Sequence, residues 1–499
     1  MHKSDIDTAE VLFTGGKSEA QARKLVRAAA SGEVRRIYAG VFTANCNSPL
    51  EAVVLRNWAA IVGYLLPNAV LAFRSALEHR PVEGVLHVSR IGQRRRTLEL
   101  PGLTVHVYPG ASPISALPPV DNPYRGLFLP SEERGILENL STRRGSKHLV
   151  LSQQALEERL EKILTIRGEF KLNELRDRAK AVADQLGMYK EMSRLESIIG
   201  AMLGTHKQKK LKSQLALARA AGMPYDPDRI DLFEALHAQL NTAVFAPIPD
   251  PAPLGIAMEN FAFFEAYFSN YIEGTTFEVE EAEKIVFEGT IILNRSEDSH
   301  DILGTFHAAT SPPWRNQSPQ TEDDFLSWLK NVNALVMQAR PDKEPGRWKA
   351  QANQAGNTLF VLPELVRGTL REGFVRIKAL TDPVARALMT MFVITEVHPF
   401  RDGNGRTARL AMNCMLCEAK LCRIMIPTVY REDYLLPLKR LTNEKDAQPF
   451  IRTMTRIHNW TAQFNYAQDR QLVREQLARC NAFHENLRDY RLIFPSDMP

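Results

Sequence analysis

Several things are scarce in this sequence, and each scarcity excludes a class of protein. Five cysteines in 499 residues (Cys46, Cys414, Cys417, Cys422 and Cys480) are few and odd in number. They exclude a disulfide-built secreted scaffold and suit free thiols in a reducing cytosol, so a cytoplasmic location is expected. No apolar core follows Met1-His2-Lys3-Ser4-Asp5, so no secretory signal is expected. The longest apolar stretch, Trp58 to Phe73, is broken by Pro67 and Asn68 and is too short to span a bilayer, so no membrane partner is expected. Charge of one sign is scarce too: a formal net charge of +5 does not mark a nucleic-acid binder, and only local clusters bear on that. No internal repeat or long low-complexity tract is present.

What remains is an ordinary globular composition, 44% hydrophobic and 24% charged, in a chain long enough for two or three domains. Cys414 and Cys417 form a C-x-x-C, but no second Cys or His pair has matching spacing and the segment reads as helix. Buried structural thiols are expected there rather than zinc or redox chemistry.

Residues 1–50 read as a small winged-helix unit. Ser18-Glu19-Ala20-Gln21 has capping-box spacing before a helical run ending near Ala30, and Glu33 to Thr43 reads as two short strands around Ala39-Gly40. Arg35 and Arg36 fall on the first strand, where a wing contacts phosphates. Residues 51–205 read as a mixed α+β accessory domain. Leu50 to Leu66 is helical, Val85–Val88 and Leu103–Val107 are strands, and Arg94, Arg95 and Arg96 lie between them on an expected hairpin. Leu156, Leu160, Ile163 and Leu164 form one apolar stripe of a charge-rich helix. With "ARKLVRAAASGEVRRIYAGVFT", "ALEHRPVEGVLHVSR" and "RRRTLELPGLTVHVYPG", residues 17 to about 200 resemble the AbiEi-like antitoxins of type IV toxin–antitoxin systems. That resemblance implies a DNA-binding winged helix and an accessory domain that binds either DNA or a partner; the five arginines named are the expected DNA contacts.

Residues 206–254 read as a helical junction closed by a proline-rich linker, Phe245 to Pro253. From 255 the pattern is helical, to about Leu477. The exception is the stretch 346–361, whose Gly356-Asn357 reads as a hairpin turn before Pro363 opens another helix.

The densest chemistry lies in His398-Pro399-Phe400-Arg401-Asp402-Gly403-Asn404-Gly405-Arg406-Thr407-Ala408-Arg409, between two apolar helical segments. A glycine-opened helix after a loop presents consecutive N–H groups and favours anions, phosphate above all. At every fixed position the run matches the signature of the Fic family of nucleotidyl transferases, His-Pro-Phe-x-Asp/Glu-Gly-Asn-Gly-Arg-x-x-Arg. The resemblance extends to "FSNYIEGTTFEVEEAEKIV", which is similar to the family's inhibitory helix through Ser269, Glu273 and Gly274. It also extends to "PGRWKAQANQAGN", in the place of the target-binding flap, and to "YREDYLLPLKRLTNEKDAQPFIRTMTRI", in the place of the closing helices.

The resemblance implies a mainly α domain over 255–465, a helical bundle with a β-hairpin flap, its inhibitory helix at 256–273, followed by a helical tail at 466–499. The α+β winged-helix and accessory domain would precede it. It also implies a protein adenylyltransferase that uses ATP with Mg²⁺. His398 is then the base that accepts the hydroxyl proton. Asp402 is the Mg²⁺ ligand, Gly403, Asn404 and Gly405 approach the phosphates, and Arg406 and Arg409 reach the β- and γ-oxygens. Glu273 pairs with Arg409 and keeps the γ-phosphate from its productive place, so inhibition would be built into the chain. Phe400 is expected in the core, and Arg401 has no assigned role. A protein substrate would add an extended segment to the flap near residues 346–361. Doc-like kinases of the superfamily replace the two glycines with Ala and Lys, which disfavours phosphorylation here. Removal of AMP, transfer of another nucleotide, and a DNA-binding regulator whose second half senses nucleotide are the alternatives; the oligomeric state stays open.

Overall fold

A computed structural model describes residues 10–142, 149–205, 211–315, 317–356, 358–485 and 489–497. The chain divides into two compact units, Met1–Ala221 and Gly222–Pro499, each with its own hydrophobic core.

The first unit is α+β. It starts with β1 (Val11–Phe13), α1 (Glu19–Ala30), β2 (Arg35–Tyr38) and β3 (Val41–Thr43), and the strands form an antiparallel sheet in the order β1-β3-β2. Ser18 caps α1 in the reciprocal arrangement with Gln21 that the sequence spacing suggests. After α2 (Leu50–Leu65) come β4 (Val70–Leu71), α3 (Arg74–Glu78), β5 (Val85–Arg90), β6 (Arg96–Leu100), β7 (Leu103–Pro109), β8 (Asn122–Tyr124) and β9 (Leu127–Leu129). These strands form one mixed sheet in the order β6-β7-β5-β4-β9-β8. Helices α4 (Glu132–Asn139), α5 (Gln153–Leu186), α6 (Tyr189–Met202) and α7 (Gln214–Ala220) complete the unit. The expected stripe of Leu156, Leu160, Ile163 and Leu164 is buried on α5, which Gly168 kinks in a conformation only glycine adopts readily (φ +79°).

Two expectations change here. Arg94–Arg96 do not lie in a turn that joins β5 to β7: Arg96 opens the outer strand of the β6–β7 hairpin, and Arg94 and Arg95 precede it. Strand β6 turns back at Gly102 to pair antiparallel with β7, while β5 lies on the other side of β7 and runs parallel to it. A parallel pair needs a crossover, so the arginines lie at the end of a connection that leads into the edge strand β6. Arg35 is committed elsewhere: its guanidinium donates to the Asn45 carbonyl (3.2 and 2.6 Å) and also to the Ser48 carbonyl, and so fastens β2 to the start of α2.

The second unit is helical. It comprises α8 (Pro227–Leu240), α9 (Gly255–Ile272), α10 (Val279–Glu288), α11 (Ser296–Thr310), α12 (Pro312–Arg315), α13 (Glu322–Val336), α14 (Val366–Ala379), α15 (Pro383–Val397), α16 (Asn404–Glu418), α17 (Arg431–Glu444), α18 (Gln448–Thr461) and α19 (Arg470–Arg479). A two-stranded hairpin, β10 (Gln354–Ala355) and β11 (Thr358–Leu359), falls where the flap was expected. Asn357, in its turn, lies outside the described residues.

Residues 222–254 of the expected junction and linker are packed into the second unit. The Asp226 N–H donates to the Thr369 hydroxyl (2.9 Å), and the Pro224 carbonyl lies 2.1 Å from where a Cβ on Gly368 would stand. Helix α8 follows and buries Phe233 and Leu236 completely. The proline-rich run packs as well: Cys422 N–H donates to the Ile248 carbonyl (2.8 Å), Asp250 N–H to the Lys420 carbonyl (3.2 Å), and Ala252 is fully buried. Prolines lack donors but keep carbonyls, so such a run still pairs with a neighbouring segment. Lys207, Lys209 and Lys210, which open the stretch expected as a helical junction, lie outside the described residues.

Helix α9 is apolar on every side, with Phe261, Phe263, Phe264 and Phe268 at most 1% exposed, which marks a central helix. The tail beyond 465 packs against it: Asn260 donates to the carbonyls of Tyr466 and Gln468 (3.0 and 2.9 Å), and Phe483 stacks on Phe268 with centroids 5.2 Å apart. The C-terminal tail is therefore part of the bundle. Among the described residues, no helix is long and apolar enough to cross a membrane.

Candidate active site

Helices α15 and α16 pack side by side, and the loop between them holds the signature. Asp382 caps α15 by accepting from Ala385 N–H (2.9 Å), with Pro383 at the first turn. The helix ends at His398 in the left-handed conformation (φ +50°), which turns the chain off the helix axis. Gly403 opens α16 at φ +75°, and a Cβ there would stand 2.6 Å from the Met337 sulfur. Glycine is required at that position on both counts.

The loop is braced from within. Asn404, 2% exposed, accepts from Phe400 N–H (2.8 Å) and donates to the Phe400 carbonyl (2.9 Å). One N–H and the oxygen of its amide are thereby engaged within the loop, which the side chain fixes in place. The free first-turn N–H groups of α16 remain for an anion. Phe400 is 1% exposed and stacks on Trp348 (5.1 Å), in the core as expected.

His398 Nδ1 lies 3.2 Å from the Thr395 carbonyl. A carbonyl only accepts, so the proton is on Nδ1 and Nε2 carries the lone pair. Phe360, next to β11, stacks on the imidazole at 3.8 Å and 6°. Burial pushes the imidazole down to about 4; the Lys349 ammonium adds to that, while the Thr395 carbonyl and the carboxylates of Glu273 and Asp402 oppose it. The ring is thus held as a neutral acceptor.

Two arginines on one face of α16 go to different partners. Arg406 Nη1 lies 2.8 Å from Asp301 Oδ2 of α11 and donates to Asn270 Oδ1 (3.2 Å). Its guanidinium is 4% exposed and largely committed within the protein. Arg409 faces the end of α9: Nε donates to the Ser269 hydroxyl (2.9 Å), and Nη2 donates to the Ser269 carbonyl (2.8 Å) and to Glu273 Oε1 (2.7 Å). Tyr434 adds a further hydrogen bond to Arg409. Glu273 stands at the C-terminal cap of α9, and Gly274 follows at φ +96°, turning the chain away. Burial works against the Glu273 charge, but the charge and hydrogen bond of Arg409 prevail and hold the carboxyl below the ordinary range. A Cβ on Gly405 would stand 2.1 Å from Glu273 Oε1, so the second glycine of the signature makes room for the carboxylate.

Asp402 is the most open acidic group in the loop, its side chain 41% exposed, with Oδ1 accepting from Gly403 N–H (2.6 Å). Lys349 and Asn353 tie the flap to the loop. Lys349 N–H donates to the Pro399 carbonyl (2.9 Å), its ammonium donates to Asn353 Oδ1 (2.6 Å), and Asn353 Nδ2 donates to the Phe400 carbonyl (3.0 Å). Burial, with the nearby Arg229 charge, pushes Lys349 down to about 7.

The structure therefore brings His398, Asp402, Gly403, Asn404, Gly405, Arg406 and Arg409 together with Ser269, Glu273 and Gly274. The arginines expected to contact DNA, Arg35, Arg36 and Arg94–Arg96, belong to the first unit. Sequence reasoning missed Asn270, Asp301, Thr395, Lys349, Asn353, Phe360 and Tyr434. Asn270 adjoins Ser269 in the inhibitory stretch and Thr395 precedes His398 by three residues, so both were within reach; the others become neighbours only on folding. Cys414 and Cys417 lie on α16, where burial pushes both thiols up, Cys417 to about 11.

Residues 324–416 match the Fic/DOC family. A protein adenylyltransferase, fic-1 of Caenorhabditis elegans, is 27% identical over 200 residues, 39% of this chain and 39% of the relative. Protein adenylyltransferase Fic of Nematostella vectensis is 27% identical over 212 residues, 41% of this chain and 48% of the relative. That of Drosophila grimshawi is 44% identical over 70 residues, 14% of each. The chain thus spans less than half the length of the curated relatives it matches. Among solved structures, a Fic-domain signalling protein of Bacteroides thetaiotaomicron is similar at TM-score 0.38 and 19% identity, covering 48% of this chain and 98% of the other. Residues 134–508 of C. elegans Fic-1 are similar at TM-score 0.36 and 19% identity, covering 63% and 97%.

Proposed function

We propose that this chain, which carries a Fic/DOC domain over residues 324–416, is a protein adenylyltransferase restrained by its own Glu273. The observation that carries the reading is the joint placement of a neutral His398, with Nε2 available, and Arg409, engaged by Glu273 at 2.7 Å. The relatives' names supply the adenylyl group as the moiety transferred.

The chemistry follows from the residues. A Ser, Thr or Tyr hydroxyl of a protein held at the flap loses its proton to His398 Nε2 as its oxygen attacks the α-phosphorus of ATP. The bond from that phosphorus to the pyrophosphate oxygen breaks, leaving AMP esterified to the protein and free pyrophosphate. The α16 N-terminus receives phosphate oxygens, and Arg409, once released by α9, is the cation for the departing charge. Asp402 fits a magnesium ion as an open, hard carboxylate. No group of three His, Cys, Asp or Glu residues is assembled among the described residues, so phosphates and water would supply the other ligands. Such an ion would offset the charge of the leaving pyrophosphate.

Glu273 and Ser269 occupy Arg409, and the carboxylate fills the space over Gly405. A γ-phosphate needs that arginine and that space, so restraint and substrate compete. The test is transfer of label from α-labelled ATP to proteins of a cell lysate by Glu273→Gly protein. Label absent there, or retained when His398→Ala is added, overturns the reading.

A second reading concerns the first unit, which we propose contacts DNA through Arg36, Arg94, Arg95 and Arg96. All four are exposed, Arg96 at the start of the edge strand β6 and Arg94 and Arg95 just before it; Arg35 is left out of this set because it bonds to Asn45 and Ser48. Retardation of the chain's own upstream DNA in a gel should fall steeply with salt. Affinity unchanged by Arg94→Glu with Arg95→Glu overturns it.

A further inference from the structure

Helix α8 lies outside the segment that matches the family, yet one of its side chains reaches the flap. Arg229 Nη2 donates to the Leu359 carbonyl of β11 at 2.7 Å. Its Nη1 lies 3.5 Å from Glu396 Oε2. Glu396 is buried on α15, two residues before His398, and its other oxygen accepts from the Thr442 hydroxyl (2.5 Å). Arg229 is itself set by Asp226, whose Oδ1 accepts its N–H (3.2 Å), and by the packing of α8 in the core, where Phe233 meets Phe392 of α15. One guanidinium, 13% exposed, thus joins the flap to the helix that carries the base.

The register of the hairpin shows what this contact does. Gln354 opposes Leu359 and Ala355 opposes Thr358, and Phe360 N–H donates to the Asn353 carbonyl. Antiparallel pairs alternate between bonded and non-bonded, so 353/360 and 355/358 are the bonded pairs. Gln354 and Leu359 then direct their N–H and C=O groups outward, one to each free edge. The β11 edge is taken, because Arg229 holds its outward carbonyl. The β10 edge has no backbone partner among the described residues.

We infer that Arg229 is a positioning residue: it anchors the flap by the Leu359 carbonyl and, by occupying that edge, directs an extended protein segment bearing the acceptor hydroxyl to the β10 edge at Gln354. The inference rests on the adenylyltransferase reading for the identity of that segment. The flap anchor itself does not depend on it.

The test uses the full chain carrying Glu273→Gly, with α-labelled ATP and, as acceptor, the lysate protein it labels most heavily, purified. Arg229→Met keeps the aliphatic volume and removes the donor. It should raise KM for the acceptor about tenfold, the loss expected for one charge-assisted hydrogen bond. KM for ATP should stay within about twofold, since Arg229 touches no phosphate-facing group. Arg229→Lys, which restores a donor, should recover part of the loss. Hydrogen exchange of the Thr358 and Phe360 amides should be faster in Arg229→Met, a change that requires no catalysis to observe. On the other edge, Gln354→Pro removes the outward N–H without touching a bonded pair and should reduce acceptor labelling about tenfold, whereas Leu359→Pro and the side-chain control Gln354→Ala should spare it. Loss of labelling with Leu359→Pro but not with Gln354→Pro overturns the edge assignment. Unchanged acceptor KM and unchanged exchange in Arg229→Met overturn the anchor. If Glu273→Gly protein labels nothing, the adenylyltransferase reading falls and the edge assignment with it; unchanged exchange would then overturn the anchor too, and faster exchange would support it.

Discussion

Glu273 Oε1 lies 2.7 Å from Arg409 Nη2, and 2.1 Å from where a Cβ on Gly405 would stand. The carboxylate thus sits on the arginine and over the glycine that, in the function proposed above, the terminal phosphates of a nucleotide would need, so that restraint and nucleotide would compete for one point in space. The pair joins the end of α9 to the first turns of α16, so the proposed restraint would depend on where α9 ends.

Replacing Glu273 with Gly should raise transfer of label from α-labelled ATP. Freeing one charge-assisted pair of about 2 kcal/mol corresponds to roughly 30-fold. Arg409 keeps its bonds to Ser269, so the variant should fold, with a thermal midpoint lowered by loss of the buried pair. Activity no higher than wild type would count against Glu273 as the restraint.

Gly405→Ala probes the same contact through stability. In an unobstructed helix alanine is favoured over glycine by about 1 kcal/mol. Here the added methyl collides with Glu273, so Gly405→Ala should destabilise the wild-type chain and become neutral or stabilising beside Glu273→Gly. A double-mutant cycle by chemical denaturation should give a coupling of about 1–2 kcal/mol. Strict additivity would remove the close approach from the account.

The pH profile should be displaced toward acid. His398 must be neutral to accept a proton, and burial holds its folded value at about 4. The acid limb of kcat should therefore fall near that value rather than near about 6.5, the free-histidine range. The same depression links to stability. An unfolded chain takes up the proton first, so the stabilising contribution of the neutral ring is complete above about 6.5 and is lost as pH falls toward about 4. Rates in Glu273→Gly protein and thermal midpoints between these limits check both statements; a limb near neutrality would contradict the first.

Asn404→Ala should cost more in activity than its distance from any phosphate suggests. It removes both bonds to Phe400 and leaves a buried N–H and C=O unpaired, about 2–3 kcal/mol of stability. Asn404→Asp keeps the acceptor for Phe400 N–H and should lose less stability while placing an unwanted charge beside the loop. Thermal denaturation of the two variants, followed by labelling assays, separates bracing from phosphate contact. A stable, inactive Asn404→Ala would support the phosphate-donor role.

Much of this site was legible in the sequence because its parts lie close together in the chain. The capping box at Ser18, α15, the glycine-opened α16, and the segment from Ser269 to Gly274 are local patterns, set by hydrogen-bonding and helix-ending rules that act over a few residues. His398 to Arg409 could be read as a phosphate-facing loop for the same reason. The family resemblance joined Glu273 to Arg409, a pairing that no local rule contains.

Tertiary structure decided the rest, since long-range packing assigns side chains to partners that the chain order does not show. It gave the Asn404 amide to Phe400, Arg406 to Asp301, and Arg35 to the carbonyls of Asn45 and Ser48. A hydrogen-bonding side chain serves whichever buried group would otherwise be unpaired. It also turned a proline-rich stretch that reads as a linker into a packed part of the bundle, and set Arg229 of α8 against the flap. The sequence by itself determined the chemistry of the loop; only the fold determined which of its groups are left free to perform it.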